Sequence, residues 1–197
     1  MDDEAATNDE AGTANGPWTR HARRTAYENA WITVWHDDVT RPDGAAGVYG
    51  VVHFANLAAG VLVIDDDDRV LLVGQHRYSL DAYSWEIPEG GVPDGESALA
   101  GACRELLEET GVDAADWREL ARLHLSNSVS DELAILFVAT GLSHGDATPD
   151  GTEQLVTRWL PFSEVLAMTL DGRITDAMTV VAVERFALLR GMEAAGG

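Results

Sequence analysis

Between Gly90 and Val112 the chain reads GGVPDGESALAGACRELLEETGV, which gathers Glu96, Glu105, Glu108 and Glu109 around a single arginine, Arg104. The pattern predicts a helix from Ser97 to Thr110, closed by Gly111 just beyond its last turn. On such a helix Glu105, Glu108 and Glu109 are neighbours, because positions three and four apart share a side. Carboxylates so close repel, and near a helix C-terminus the backbone dipole disfavours them further. Two explanations fit. One is a solvated acidic face, the usual fate of a charge run. The other is a cation, since Mg²⁺ takes a few carboxylates together with waters and substrate phosphates. Such a cation neutralises anionic oxygens and lowers the pKa of a bound water.

The elements that must hold this helix can be read on either side of it. Leu99, Ala102, Cys103 and Leu106 form its apolar stripe, with Glu105 at the margin. Trp31–Thr40 and Val48–Ala55 read as a hairpin around the turn residues 41–47. Ala58–Asp65 and Arg69–Arg77 are apolar strands on either side of a solvated acidic tip, Asp65–Asp68. Tyr83–Gly91 reads as a short strand, and Trp117–Ser126, Glu132–Leu142 and Glu153–Phe162 as further strands. Phe162–Gly172 is a helix with Ser163 as its N-cap, and Thr175–Gly191 a last helix closed by Gly191. Helices set irregularly among mixed strands indicate an α+β protein, an α/β/α sandwich with an N-terminal β-hairpin region.

One domain over residues 17–192 is expected, after a disordered acidic tail at 1–16 and before a flexible tail at 193–197. No apolar run is long enough to span a bilayer, and the acidic start lacks the basic and apolar parts of a signal peptide. A cytoplasmic protein with no membrane partner is the expectation. The single cysteine, Cys103, permits no internal disulfide and no Cys-based zinc site. A net charge of -21 argues against a nucleic-acid partner. All thirteen basic residues are arginine. Two explanations fit that bias equally: a salt-rich cytoplasm, or a GC-rich genome.

The stretch from Gly90 to Val112 resembles the Nudix box, matching it at Gly90, Glu96, Arg104, Glu105, Leu106, Glu108, Glu109, Gly111 and Val112. The resemblance implies Mg²⁺ or Mn²⁺ as cofactor, with Glu105 and Glu109 as principal ligands and catalytic residues. It implies Glu108 as a further ligand or support, and the backbone carbonyl of Glu89 as the non-carboxylate ligand. It also implies that Glu96 and Arg104 form an ion pair bracing the motif, and that Gly90 and Gly111 permit its tight backbone.

The likeness extends from about Tyr27 to Leu188 and is to the ADP-ribose and nucleoside diphosphate sugar pyrophosphatases. GQHRYSLDAYSWEIPEGG, residues 74–91, is similar to the segment leading into the box in that branch, which implies substrate contacts from Arg77 and Glu86. SNSVSDE, residues 126–132, resembles a substrate loop of the branch and implies a contact from Glu132, although Asn127 stands where ADP-ribose-selective members often have proline. GTEQLVTRW, residues 151–159, resembles the loop carrying the general base, which implies Glu153, with Asp150 as the alternative. The branch further implies a homodimer in which N-terminal strands are exchanged. The activity implied is hydrolysis of the pyrophosphate bond of ADP-ribose or a related nucleoside diphosphate sugar. The alternatives are an NADH-type dinucleotide or a nucleoside triphosphate as substrate, or a non-catalytic nucleotide-sensing module.

Overall fold

The computed structural model describes residues 12–144 and 155–196. Their contacts group into two compact units. The first comprises residues 12–55 with 126–132, and the second residues 56–125, 133–144 and 155–196.

The first unit is an antiparallel sheet in chain order, β1 (Thr13–Asn15), β2 (Trp18–Glu28), β3 (Ile32–Thr40) and β4 (Ala46–Phe54). Thr13–Asn15 pairs with Trp18–Arg20, so ordered structure begins inside the segment expected to be a disordered tail through Gly16. Strand β2 escapes sequence analysis because most of it is exposed, which leaves no apolar alternation to read. Its anchor is polar. Arg23 donates from Nε and Nη2 to the two carboxylate oxygens of Asp37, both at 2.7 Å, and its guanidinium lies 3.8 Å from the Trp35 ring centroid. The Arg23 guanidinium holds the Asp37 carboxyl below its usual range, against the opposing effect of burial.

The second unit has the expected α/β/α architecture. One sheet runs β8 (Glu89–Val92), β5 (Leu57–Val63), β10 (Leu133–His144), β9 (Val112–His124). Its β5–β10 pair is parallel and the rest antiparallel. The other runs β11 (Val156–Pro161), β6 (Arg69–Arg77), β7 (Ala82–Glu86), all antiparallel. Strand β5 is buried on both faces, which explains its unbroken apolar run. Ala59, Val61 and Val63 pack with Ala102 and Leu106 of helix α1 (Ala98–Thr110). Leu62, one position out of phase, packs with Val165 of α2 (Phe162–Leu170) and Met178 of α3 (Ala177–Gly196).

Several expected elements differ. The strand expected over 83–91 breaks at Ile87-Pro88, so β7 joins one sheet and β8 the other. Proline cannot donate to a ladder, and the Pro88 carbonyl instead accepts from Val61 N–H at 2.9 Å. Ser163 is not the cap of α2. The helix begins at Phe162, whose N–H bonds to the Asp68 carbonyl at 2.9 Å, and no side chain caps it. Helix α3 is not closed by Gly191 but runs on to Gly196, through residues expected to be a flexible tail. The buried stripe of α1 is also rotated: Gly101, Ala102, Leu106 and Glu109 are inside, whereas Leu99 is 41% exposed. Gly101 allows this rotation because it lies against Val92, where a Cβ would collide.

Candidate active site

The rotation of α1 explains how carboxylates come to face inward. Gly101 and Ala102 give the helix a close approach to the sheet, and Glu109, two turns on, becomes 6% exposed. Ser97 caps the start, its hydroxyl accepting from Ala100 N–H at 3.2 Å. Gly111 ends it in the left-handed region at φ 69°, its N–H bonded to the Leu107 carbonyl at 2.9 Å.

Arg104 is a hub. Its Nη1 donates to Glu105 at 2.7 Å and Glu108 at 3.1 Å, and its Nη2 to Glu96 and to the Gly91 carbonyl, each at 2.9 Å. The bond to Glu96 contributes most to holding the guanidinium above its ordinary range. Burial pushes the Glu105 carboxyl up, and Arg104 only partly offsets it. Gly90 faces that carboxyl so closely that a Cβ would overlap it. Gly90, Glu96, Arg104, Glu105 and Glu108 are therefore one contiguous cluster, and Glu109 is buried on the same helix.

A second cluster lies at the end of β6. Arg77 is bonded to Glu86 through Nη2 at 2.7 Å and to Glu89 through Nη2 at 2.8 Å. Burial opposes its charge, but these carboxylates hold the guanidinium above its usual range. Gln75 adds a donor to Glu86 at 3.2 Å. Glu86, Glu89 and Asp176 bring one carboxylate oxygen each within 4.8 Å of one another. Burial, then Asp176 and Glu86, pushes the Glu89 carboxyl well up, and its Oε2 is buried with no hydrogen-bond partner. The side chains of Glu89 and Asp176 are the site residues that sequence analysis misses. The resemblance marks Glu89 through its backbone carbonyl alone. Asp176 offers only the signal of an N-cap, accepting from Thr179 N–H at 2.7 Å.

Among the expected substrate contacts, the structure brings Arg77 and Glu86 together in the second unit, while Glu132 belongs to the first. Burial raises the Glu132 carboxyl. Glu153 and Asp150 lie outside the described residues. Trp31 is 70% exposed at the start of the β3–β4 hairpin.

The donor set fits a hard divalent cation. Glu86, Glu89 and Asp176 offer oxygen alone, Arg77 pairs with the first two, and Glu89 Oε2 is left without a hydrogen-bond partner. Among the described residues the carboxylates that come within 4.8 Å of one another as a group of three are Glu86, Glu89 and Asp176, whereas the resemblance implies Glu105, Glu108, Glu109 and the Glu89 carbonyl as the groups that would hold a cation at the box.

Residues 55–179 match the NUDIX domain, and residues 18–52 the nucleoside diphosphate sugar hydrolase N-terminal domain. The chain belongs to the Nudix family and is a Nudix pyrophosphohydrolase. It is 29% identical over 166 residues to a CMP-5'-(N-acetyl-N-hydroxy-3-aminopropyl)phosphonate hydrolase of Streptomyces rubellomurinus, covering 84% of this chain and 80% of that one. It is 29% identical over 163 residues to an ADP-ribose pyrophosphatase of Mycobacterium tuberculosis, covering 81% and 78%. A solved structure described as an ADP compounds hydrolase shares the fold, with a TM-score of 0.77 at 23% identity over 91% of this chain and 98% of that one. No described helix is long and apolar enough to cross a membrane.

Proposed function

We propose that the chain hydrolyses the pyrophosphate bond of ADP-ribose or a related nucleoside diphosphate sugar, with Mg²⁺ or Mn²⁺ as cofactor, giving a nucleoside monophosphate and a sugar phosphate. The observation that carries this is the α1 carboxylate cluster, with Glu105 seated against Gly90 and tied by Arg104 to Glu96 and Glu108. The N-terminal match to nucleoside diphosphate sugar hydrolases supports the substrate class. When bound, the cation supplies charge for the diphosphate and acidity for a water. Glu105, Glu109 and Glu108 hold it, with the Glu89 carbonyl. Arg104 fixes the Glu105 and Glu108 rotamers. Arg77 and Glu86 form the proposed substrate edge, and the loop carrying Glu132 sets selectivity. Glu153, with Asp150 as the alternative, takes the proton from the attacking water. The protein works as a cytoplasmic homodimer on a small nucleotide, without nucleic acid or membrane.

A second substrate reading has its own support. Asn127 departs from the pattern of ADP-ribose-selective members, and one relative is named for a nucleotide-phosphonate substrate. The nucleotide side would then be recognised and the leaving group would vary. A purely sensing module is disfavoured, because all four box glutamates are retained.

The test is product chromatography after incubation with Mg²⁺ and a panel of ADP-ribose, ADP-glucose, UDP-glucose, GDP-mannose, NADH and nucleoside triphosphates. AMP and ribose 5-phosphate appearing fastest from ADP-ribose supports the first reading. Preference for another nucleotide moves the substrate and keeps the box. No turnover of any compound refutes the enzyme.

A further inference from the structure

Residues 126–132 connect β9 to β10, yet their contacts group them with the N-terminal sheet. The segment first folds on itself: the Ser126 carbonyl accepts from Val129 N–H at 3.0 Å and from Ser130 N–H at 2.8 Å. It then runs as a parallel bridge against β4 at Val52 and Ser130. Val52 N–H donates to the Val129 carbonyl at 2.8 Å, and Asp131 N–H returns a bond to the Val52 carbonyl at 3.2 Å. Tyr49 Oη donates to the Ser128 carbonyl at 2.7 Å.

Asp131 closes the attachment. Its Oδ1 accepts from Phe54 N–H at 3.1 Å, and its Oδ2 lies 2.6 Å from His53 Nδ1. A carboxylate only accepts, so Nδ1 carries the proton of this bond. The His53 ring is itself fixed, stacked on Trp35 at 4.5 Å between centroids and 13° between planes. Both Asp131 oxygens are thus committed to β4, and the residue after Asp131 is Glu132.

We propose that Asp131 and His53 are positioning residues: they latch the 126–132 loop onto the edge of β4, and so set the affinity for the nucleotide substrate without taking part in the chemistry. This rests on the proposed role of that loop in substrate selection. The bonds hold the backbone up to Asp131, the residue immediately before Glu132. Without it, the loop keeps its own turn at Ser126 but loses its register on β4.

The test compares wild type with Asp131→Ala, Asp131→Asn and His53→Ala in two measurements. The first is steady-state hydrolysis of ADP-ribose with Mg²⁺. The second is amide hydrogen exchange over residues 52–54 and 126–132, made without nucleotide. Asp131→Ala should raise KM about tenfold with kcat within about twofold, the signature of lost binding that is uniform in ground and transition states. Exchange should rise at Phe54 and through the loop. His53→Ala should act in the same direction, and Asp131→Asn, which keeps an acceptor for Phe54 N–H, should recover most of both effects. Unchanged exchange in Asp131→Ala overturns the latch. Raised exchange with unchanged KM overturns its link to substrate affinity. A fall in kcat at unchanged KM overturns the positioning role. If wild type does not turn over ADP-ribose, the substrate assignment falls, and the kinetic arm moves to whichever nucleotide of the panel is hydrolysed, while the exchange arm still decides the latch.

Discussion

Gly90 and Glu105 share one small volume: the carboxyl of Glu105 fills the space that a side chain at position 90 would need. The glycine is thus required by close approach and not by a left-handed backbone, since its φ is not positive. Gly90→Ala should displace the Glu105 carboxyl and lower kcat about a hundredfold, as a misplacement of about 1 Å does elsewhere. The far-ultraviolet circular dichroism should be preserved. Turnover at the wild-type rate would show that Glu105 can move without cost.

Arg104→Ala leaves Glu96, Glu105 and Glu108 without their common donor. The Arg104 side chain is 34% exposed, so solvent screens part of the loss. A cost of about 2 kcal/mol in urea unfolding is expected. Arg104→Lys should recover little of it, because an ammonium cannot span the acceptors that a planar guanidinium reaches. Full recovery by lysine would reduce the hub to a point charge.

Arg77 pairs with Glu86 and Glu89, whose side chains are 3% and 13% exposed. Its removal leaves buried carboxylates uncompensated, at a cost of about 3 kcal/mol. Adding Glu89→Gln to Arg77→Ala should return part of that stability, and a double-mutant cycle by chemical denaturation measures it. A KM effect from Arg77→Ala with stability untouched would assign the residue to substrate alone.

The Arg23–Asp37 pair makes the N-terminal unit acid-sensitive. The folded Asp37 pKa lies below the unfolded value of about 4. Its contribution is therefore complete above that value and is lost as pH falls through the lowered folded pKa, where the unfolded chain binds a proton that the folded chain refuses. Asp37→Asn should flatten the stability-versus-pH curve in that window and leave its slope near neutrality unchanged. Denaturant midpoints at pH steps from about 2 to 7 measure this, and parallel curves for the two proteins would remove the pair from the account.

With a net charge of -21, screening should stabilise the fold. The melting temperature should rise between low and molar KCl, and Mg²⁺ should raise it further by binding the folded state. Chelation by EDTA should abolish both turnover and the Mg²⁺ increment. A melting temperature indifferent to KCl removes salt adaptation as the reason for the acidic surface.

The box was legible because its information is local. Helix periodicity puts Glu105, Glu108 and Glu109 at neighbouring positions of one helix, and Arg104 bonds to Glu96 only eight positions earlier. The β5 and β6 strands were legible because burial on both faces leaves long apolar runs. What stayed hidden depends on distant partners. Asp176 meets Glu86 and Glu89 only after α3 is docked, and nothing in its own segment says so. The 126–132 loop looks like a free connection until β4 supplies partners more than seventy positions away, as the His53–Asp131 separation of 78 shows. The rotation of α1 followed from Gly101, whose small size matters only beside Val92.

The break at Ile87-Pro88 ties the box to three parts of the second unit at once. Glu86 ends a strand of one sheet, and Glu89 begins a strand of the other. Between them, Ile87 N–H is held by the Thr179 hydroxyl of α3 at 2.9 Å, and the Pro88 carbonyl by β5. This short span works as a strut whose far end is the Glu89 carbonyl. A change in the spacing of the two sheets is carried into that carbonyl with no flexible loop to absorb it. Trimming the fully buried Ile87 side chain, which itself makes no contact proposed for substrate or cation, should therefore register as slower hydrolysis at temperatures where the chain is still folded.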